Sequence, residues 1–77
     1  MKLIEAVAKR VEELLNEREM KQNHLAKAGG IPRSTLSVLV GCKRNAVKLD
    51  TVYQICATLG ISLADFFDSP LFDEVTD

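Results

Sequence analysis

From Leu3 to Arg18 the apolar residues Ile4, Val7, Ala8, Val11, Leu14 and Leu15 recur at intervals of three and four, with Glu12, Glu13 and Glu17 on other faces. That period marks an amphipathic helix, not a strand, whose side chains alternate every second residue. Shorter segments repeat it. Gln22 to Ala28 directs Leu25 and Ala26 inward, and Gly29 with Gly30 end the segment because glycine takes the left-handed conformation that closes a helix. Pro32 suits the first turn of a third helix, where its missing N–H has no partner to lose and its φ is already helical. Asp50 to Leu59 sets Val52, Tyr53, Ile55, Cys56 and Leu59 in an amphipathic pattern that Gly60 stops. Ser62 fits the N-cap of a last short helix, with Asp65 three residues on and Phe66 and Phe67 as its packing residues. Pro70 ends that helix and leaves P-L-F-D-E-V-T-D as a tail. No segment reads as a strand, so the expected class is all-α.

A chain of 77 residues supports one small domain, marginally stable unless its helices pack efficiently or a second copy buries more surface. No linker, repeat or low-complexity segment divides it. Lys2, Glu5, Lys9 and Arg10 interrupt the N-terminal segment, and no apolar run approaches bilayer length, so a soluble cytoplasmic protein is expected. Cys42 and Cys56 are too few to staple a secreted fold. With His24 they make three scattered metal-ligand candidates, with neither a C-x-x-C nor an H-x-x-x-H pair. The expectation is no metal and no cofactor: Cys56 a small core residue, Cys42 a loop or helix-end thiol, His24 a surface side chain.

The net charge of -1 conceals a division along the chain. Residues 21–48 carry Lys21, Lys27, Arg33, Lys43, Arg44 and Lys48 and no acid, whereas residues 49–77 carry Asp50, Asp65, Asp68, Asp73, Glu74 and Asp77 and no base. A cationic middle points to a polyanionic partner for one face. Within it, at roughly 100° per residue, Arg33, Ser34, Ser37, Val38 and Gly41 share one half of a helical wheel, and Pro32, Thr35, Leu36, Leu39 and Val40 the other. One half packs and the other is free. Two short helices joined by a glycine-bearing turn, the second showing a small polar face with one arginine, form a helix-turn-helix suited to the DNA major groove.

The stretch M-K-Q-N-H-L-A-K-A-G-G-I-P-R-S-T-L-S-V-L-V-G-C-K-R-N resembles the phage-repressor/Cro-like helix-turn-helix domain, or xenobiotic-response-element family. Gln22, Leu25, Ala26, Gly30, Ile31, Ser34, Leu36, Ser37 and Leu39 match its usual pattern, and L-D-T-V-Y-Q-I-C-A-T-L-G-I-S-L-A-D-F-F is similar to its fourth and fifth helices. The resemblance implies a compact five-helix, lambda-repressor-like DNA-binding domain over residues 1–68, followed by an acidic tail over 69–77 that packs on the domain or at a dimer contact. It implies a sequence-specific, double-stranded-DNA-binding transcriptional regulator, a homodimer on a palindromic operator, with the recognition helix at about 32–40. Base reading then falls on Arg33, Ser34, Ser37 and Val38. Phosphate binding falls on Lys21, Gln22, Lys43, Arg44 and Lys48. For Ser34 and Ser37 the plainer role of capping or solvating a helix is equally open. Phe67, Leu71 and Phe72 offer a dimer contact, and no small-molecule effector or membrane partner is expected.

Four departures from the pattern carry consequences. Leu15 and Val40 stand where many members carry an arginine–glutamate pair. Replacing such a pair as a unit by apolar groups is often neutral or stabilising, so these two side chains are expected to touch. Cys42 replaces the usual glycine after the recognition helix, Ala46 replaces a common proline, and N-A-V-K is about one residue longer than usual. Lys21 replaces a Ser or Thr N-cap, a loss of about 1 kcal/mol. The competing function is a protein-interaction module on the same fold, an antitoxin or anti-repressor that grips its partner through the tail. An enzyme is not expected, because no nucleophile with a base, no paired carboxylates and no phosphate loop can be assembled.

Overall fold

The computed structural model describes residues 1–76, and Asp77, the last residue of the expected tail, lies outside them. Five α-helices follow in order: α1 Leu3–Glu17, α2 Gln22–Gly29, α3 Arg33–Val40, α4 Leu49–Leu59 and α5 Leu63–Phe67, then a 3-10 helix over Pro70–Glu74. Among the described residues there is no strand. All six apolar positions of the α1 stripe are buried, and the Glu5 carboxylate accepts the Lys2 N–H at 2.8 Å across its first turn.

The core joins Val7, Val11 and Leu14 of α1 to Leu25, Leu36, Ile55 and Phe66 from the other four helices. Each such side chain, fully buried, contributes about 1.5–3 kcal/mol. Helix α1 packs on α3 and on the 3-10 helix, α2 packs on both α3 and α4, and α4 packs on α5. Leu15 belongs to this core and Val40 packs against it, so both members of the replaced ion pair serve the apolar interior.

Arg10 of α1 and Arg18 at its C-cap fasten the C-terminal helices. Arg10 Nε donates to the Phe66 carbonyl at 2.7 Å and Nη2 to the Asp65 carbonyl at 2.8 Å, while Nη1 meets Glu13. A guanidinium on the last carbonyls of α5 satisfies acceptors that a five-residue helix leaves open, and each charged hydrogen bond is worth about 1.5–3 kcal/mol. Arg18 reaches the Leu59 carbonyl at the end of α4, at 3.5 Å.

Several expectations are corrected in detail. Pro32 is the N-cap of α3, not part of its first turn: its ψ of 137° is extended, and its carbonyl accepts the N–H groups of Thr35 and Leu36. Gly29 is the last residue of α2, and Gly30 alone, at φ 64°, makes the left-handed turn. A Cβ on Gly29 would lie 2.6 Å from Thr58 Oγ1, so what it provides is a close approach between α2 and α4. Tyr53 is 59% exposed, and Thr51 takes an interior place on α4 instead. The C-terminal segment is ordered by Ser69, whose Oγ accepts the Leu71 N–H at 3.2 Å. Beyond it the chain ends meet, the Met1 ammonium donating to the Glu74 carbonyl at 2.9 Å and the Thr76 N–H to the Met1 carbonyl at 3.1 Å.

Candidate nucleic-acid interface

Helix α3 is held by its inner face. Leu36 and Leu39 are buried, Thr35 and Val40 half-buried, and Arg33, Ser34 and Ser37 are exposed on the opposite side. Val38 lies at the edge of that outer face and is half-buried. The wheel angles account for this: Val38 falls roughly 140° from Arg33, toward the boundary between the two halves.

A reversed turn ends the helix. The Cys42 N–H donates to the Leu39 carbonyl at 3.2 Å and the Lys43 N–H to the Val38 carbonyl at 3.0 Å, with Cys42 at φ 52°. This pair of bonds around a left-handed residue is a Schellman motif, which ordinarily takes glycine at that place. Cys42 therefore holds a glycine position with a side chain, and the chain after it folds back along α3.

Three of the six cations of residues 21–48 line two hollows. Arg44 and Lys48 line a cleft of about 380 Å3 together with Ser34, Thr35 and Val38, between α3 and the start of α4. Lys21 and Gln22 open a separate hollow of about 390 Å3 beside Glu12 and Asn16 of α1. Lys43 lies in neither; its Nζ is 3.5 Å from Ser37 Oγ, on the face that carries Arg33. Lys21 and Lys48 are the N-caps of α2 and α4, and neither helix has a side-chain cap, which leaves the first N–H groups open to an anion.

All six cations of residues 21–48 are exposed. The ion pairs found among the described residues, Arg10–Glu13 and Arg18–Glu17, involve none of them. No carboxylate lies within ion-pairing distance of them among the described residues. Lys2 adds a seventh, with Nζ 3.5 Å from Asn45 Oδ1 in the loop before α4. That contact joins residues far apart in the chain, and no local pattern announces it.

The cysteines and the histidine do not converge. Cys56 is buried in the core, Cys42 is exposed and His24 is exposed on α2. Burial pushes the Cys56 thiol up from its ordinary pKa, against the smaller downward pulls of a backbone hydrogen bond and the Arg10 charge. Among the described residues no group of three or more His, Cys, Asp or Glu side chains could hold a metal ion, and no helix is long and apolar enough to cross a membrane.

Known proteins share this arrangement. A family model described as the Cro/C1-type helix-turn-helix DNA-binding domain matches residues 10–70. The crystal structure of protein 11 of prophage Lp1 is 33% identical, with a TM-score of 0.85, over 97% of this chain and 100% of that one. A point mutant of the restriction-modification controller protein C.Esp1396I has a TM-score of 0.80 over 96% of this chain and 94% of that one; at 24% identity it bears on the fold alone. No curated protein matches the sequence. With its model spanning the helix-turn-helix and most of the core, the chain belongs to the Cro/C1-type helix-turn-helix DNA-binding family.

Proposed function

We propose that this DNA-binding domain is a transcriptional regulator that reads double-stranded DNA with α3 in the major groove and acts as a dimer on a palindromic operator. The observation that carries the reading is the outer face of α3, exposed and polar on a buried apolar anchor, with unpaired cations on both sides. A major groove about 12 Å wide admits such a helix. In this reading residues 1–68 are the binding domain and 69–77 an acidic tail turned away from the duplex.

Arg33, at the first turn of α3, donates to a guanine O6 and N7, with Ser34 and Ser37 as short polar readers. Val38 meets a thymine methyl from the rim of the cleft. Lys21, Gln22, Arg44 and Lys48 bind phosphates; contacts of this kind set position and salt dependence, not sequence. Lys43, turned onto α3, belongs to a different group. The dimer contact is Phe67 with Leu71 and Phe72, of which Phe67 is the most outward at 38% exposure. The domain's longest dimension is 33 Å, so two copies side by side are of the right size to present recognition helices one duplex turn, about 34 Å, apart.

Selection of bound sites from random duplexes at physiological salt tests the reading. Enrichment of a palindrome is expected, and Arg33→Ala should cost about 1–3 kcal/mol and relax base preference at one position of each half-site. A folded protein that enriches no sequence would overturn it in favour of the protein-interaction module.

A further inference from the structure

We propose that Lys43 reads a base edge jointly with Ser37, as one unit, and is not a phosphate contact like the other loop cations. The inference rests on the DNA-reading function proposed for α3. Three observations place the lysine there. Cys42, in the left-handed conformation at φ 52°, reverses the chain so that the Lys43 N–H closes on the Val38 carbonyl. The lysine stem then runs back over Gly41, where an added Cβ would stand 3.3 Å from Lys43 Cε and 3.5 Å from its Cγ. The ammonium ends 3.5 Å from Ser37 Oγ, four residues and one helical turn from Arg33.

The chemistry of the pair is specific. The ammonium donates to the Ser37 oxygen, which leaves the hydroxyl hydrogen free to point outward and keeps two further N–H donors on the lysine. A unit that offers only donors at its tip is complementary to a base edge that offers only acceptors, and in the major groove that edge is guanine, with N7 and O6 side by side. Arg44 and Lys48 differ in both respects. They line the cleft beside α3 with Ser34 and Val38, and among the described residues neither side chain donates a hydrogen bond to the reading face as Lys43 does to Ser37. Without Lys43, Ser37 is too short to discriminate; without Ser37, the lysine loses the contact that aims it.

Per-position base preference and the salt slope of binding test this together, for the intact protein and for Lys43→Met, Ser37→Ala and the double variant. Both residues are exposed, and matching thermal unfolding curves verify that the variants fold. The expected result is that each single change flattens the same guanine position, with a loss of about tenfold in preference. The double variant should lose little more than either single one, and the salt slope of Lys43→Met should stay within about half a unit of the parent's. A uniform loss of affinity over all sequences with a slope lower by about 1 would make Lys43 an ordinary phosphate contact and overturn the proposal, leaving the DNA-reading function intact. Flattening at two different positions would also overturn it. Failure of the parent to enrich any sequence removes both readings at once.

Discussion

Cys42 occupies a backbone conformation that costs a side-chain-bearing residue about 1–2 kcal/mol, at the turn that ends the recognition helix. Glycine carries no such penalty but loses about 0.5–1 kcal/mol more in chain entropy on folding. Cys42→Gly should therefore stabilise the domain by about 0.5–1 kcal/mol, read as a higher urea midpoint with an unchanged slope. An unchanged or lower midpoint would mean that the thiol makes compensating contacts at this exposed position. At this scale the sequence is informative where chemistry is local. Cys42 stood out as a departure from a family glycine, and the left-handed φ gives the physical reason for that glycine. Arg10 did not stand out: it reads as one more surface charge of α1, and only the approach of α5, more than fifty residues later, turns it into a cap.

The helices themselves were legible because a 3.6-residue period survives in the pattern of buried side chains. The α1 stripe is buried throughout, Ser62 caps α5 by accepting the Asp65 N–H at 3.0 Å, and Gly60 closes α4 at φ 73°. Element contacts are harder to read, since they depend on which helices meet. Tyr53 follows the α4 pattern, yet no element covers it. Gly29 looked like half of a helix stop, whereas its hydrogen side is where α2 comes against Thr58. Gly29→Ala should cost about 1–3 kcal/mol by overpacking, even though alanine is the better helix former. Thr58 Oγ1 is bonded only within its own helix, donating to the Gln54 carbonyl at 2.8 Å, so Thr58→Ala should be mild. Adding it to Gly29→Ala should recover much of the loss. If the two effects simply add, the close approach is not the cause.

For the molecule as a whole, the proposed dimer is a matter of the apolar surface that the C-terminal segment leaves exposed. Phe66 is fully buried, and its ring stands 5.0 Å from Phe67 and 6.1 Å from Phe72, which are 4.9 Å apart. This aromatic group takes up much of what the C-terminal segment must bury, and Phe67 remains its outward edge. Phe67→Ser should leave the fold in place while lowering the sedimentation mass toward that of one chain and reducing affinity for a full palindrome more than for a half-site. A variant that stays dimeric would move the interface elsewhere, for which the exposed Leu49 at 63% is the next apolar surface. The exposed polar face of α3 and its flanking cations, the surface proposed for recognition, were legible in the sequence through charge and spacing. The dimer contact proposed at Phe67, Leu71 and Phe72 is less legible there, because exposed apolar residues are common on monomers and acquire meaning only beside a partner.

The backbone pairing of Met1 with Glu74 and Thr76 closes the chain almost into a ring. A linker of about two to four residues could join the ends, and new ends could then open elsewhere on the surface. The order of helices along the chain is thus separable from their packing. Circular permutation with new ends in the exposed loop around Asn45 would keep a fused domain close to where the present ends carry it, because Lys2 Nζ lies 3.5 Å from Asn45 Oδ1.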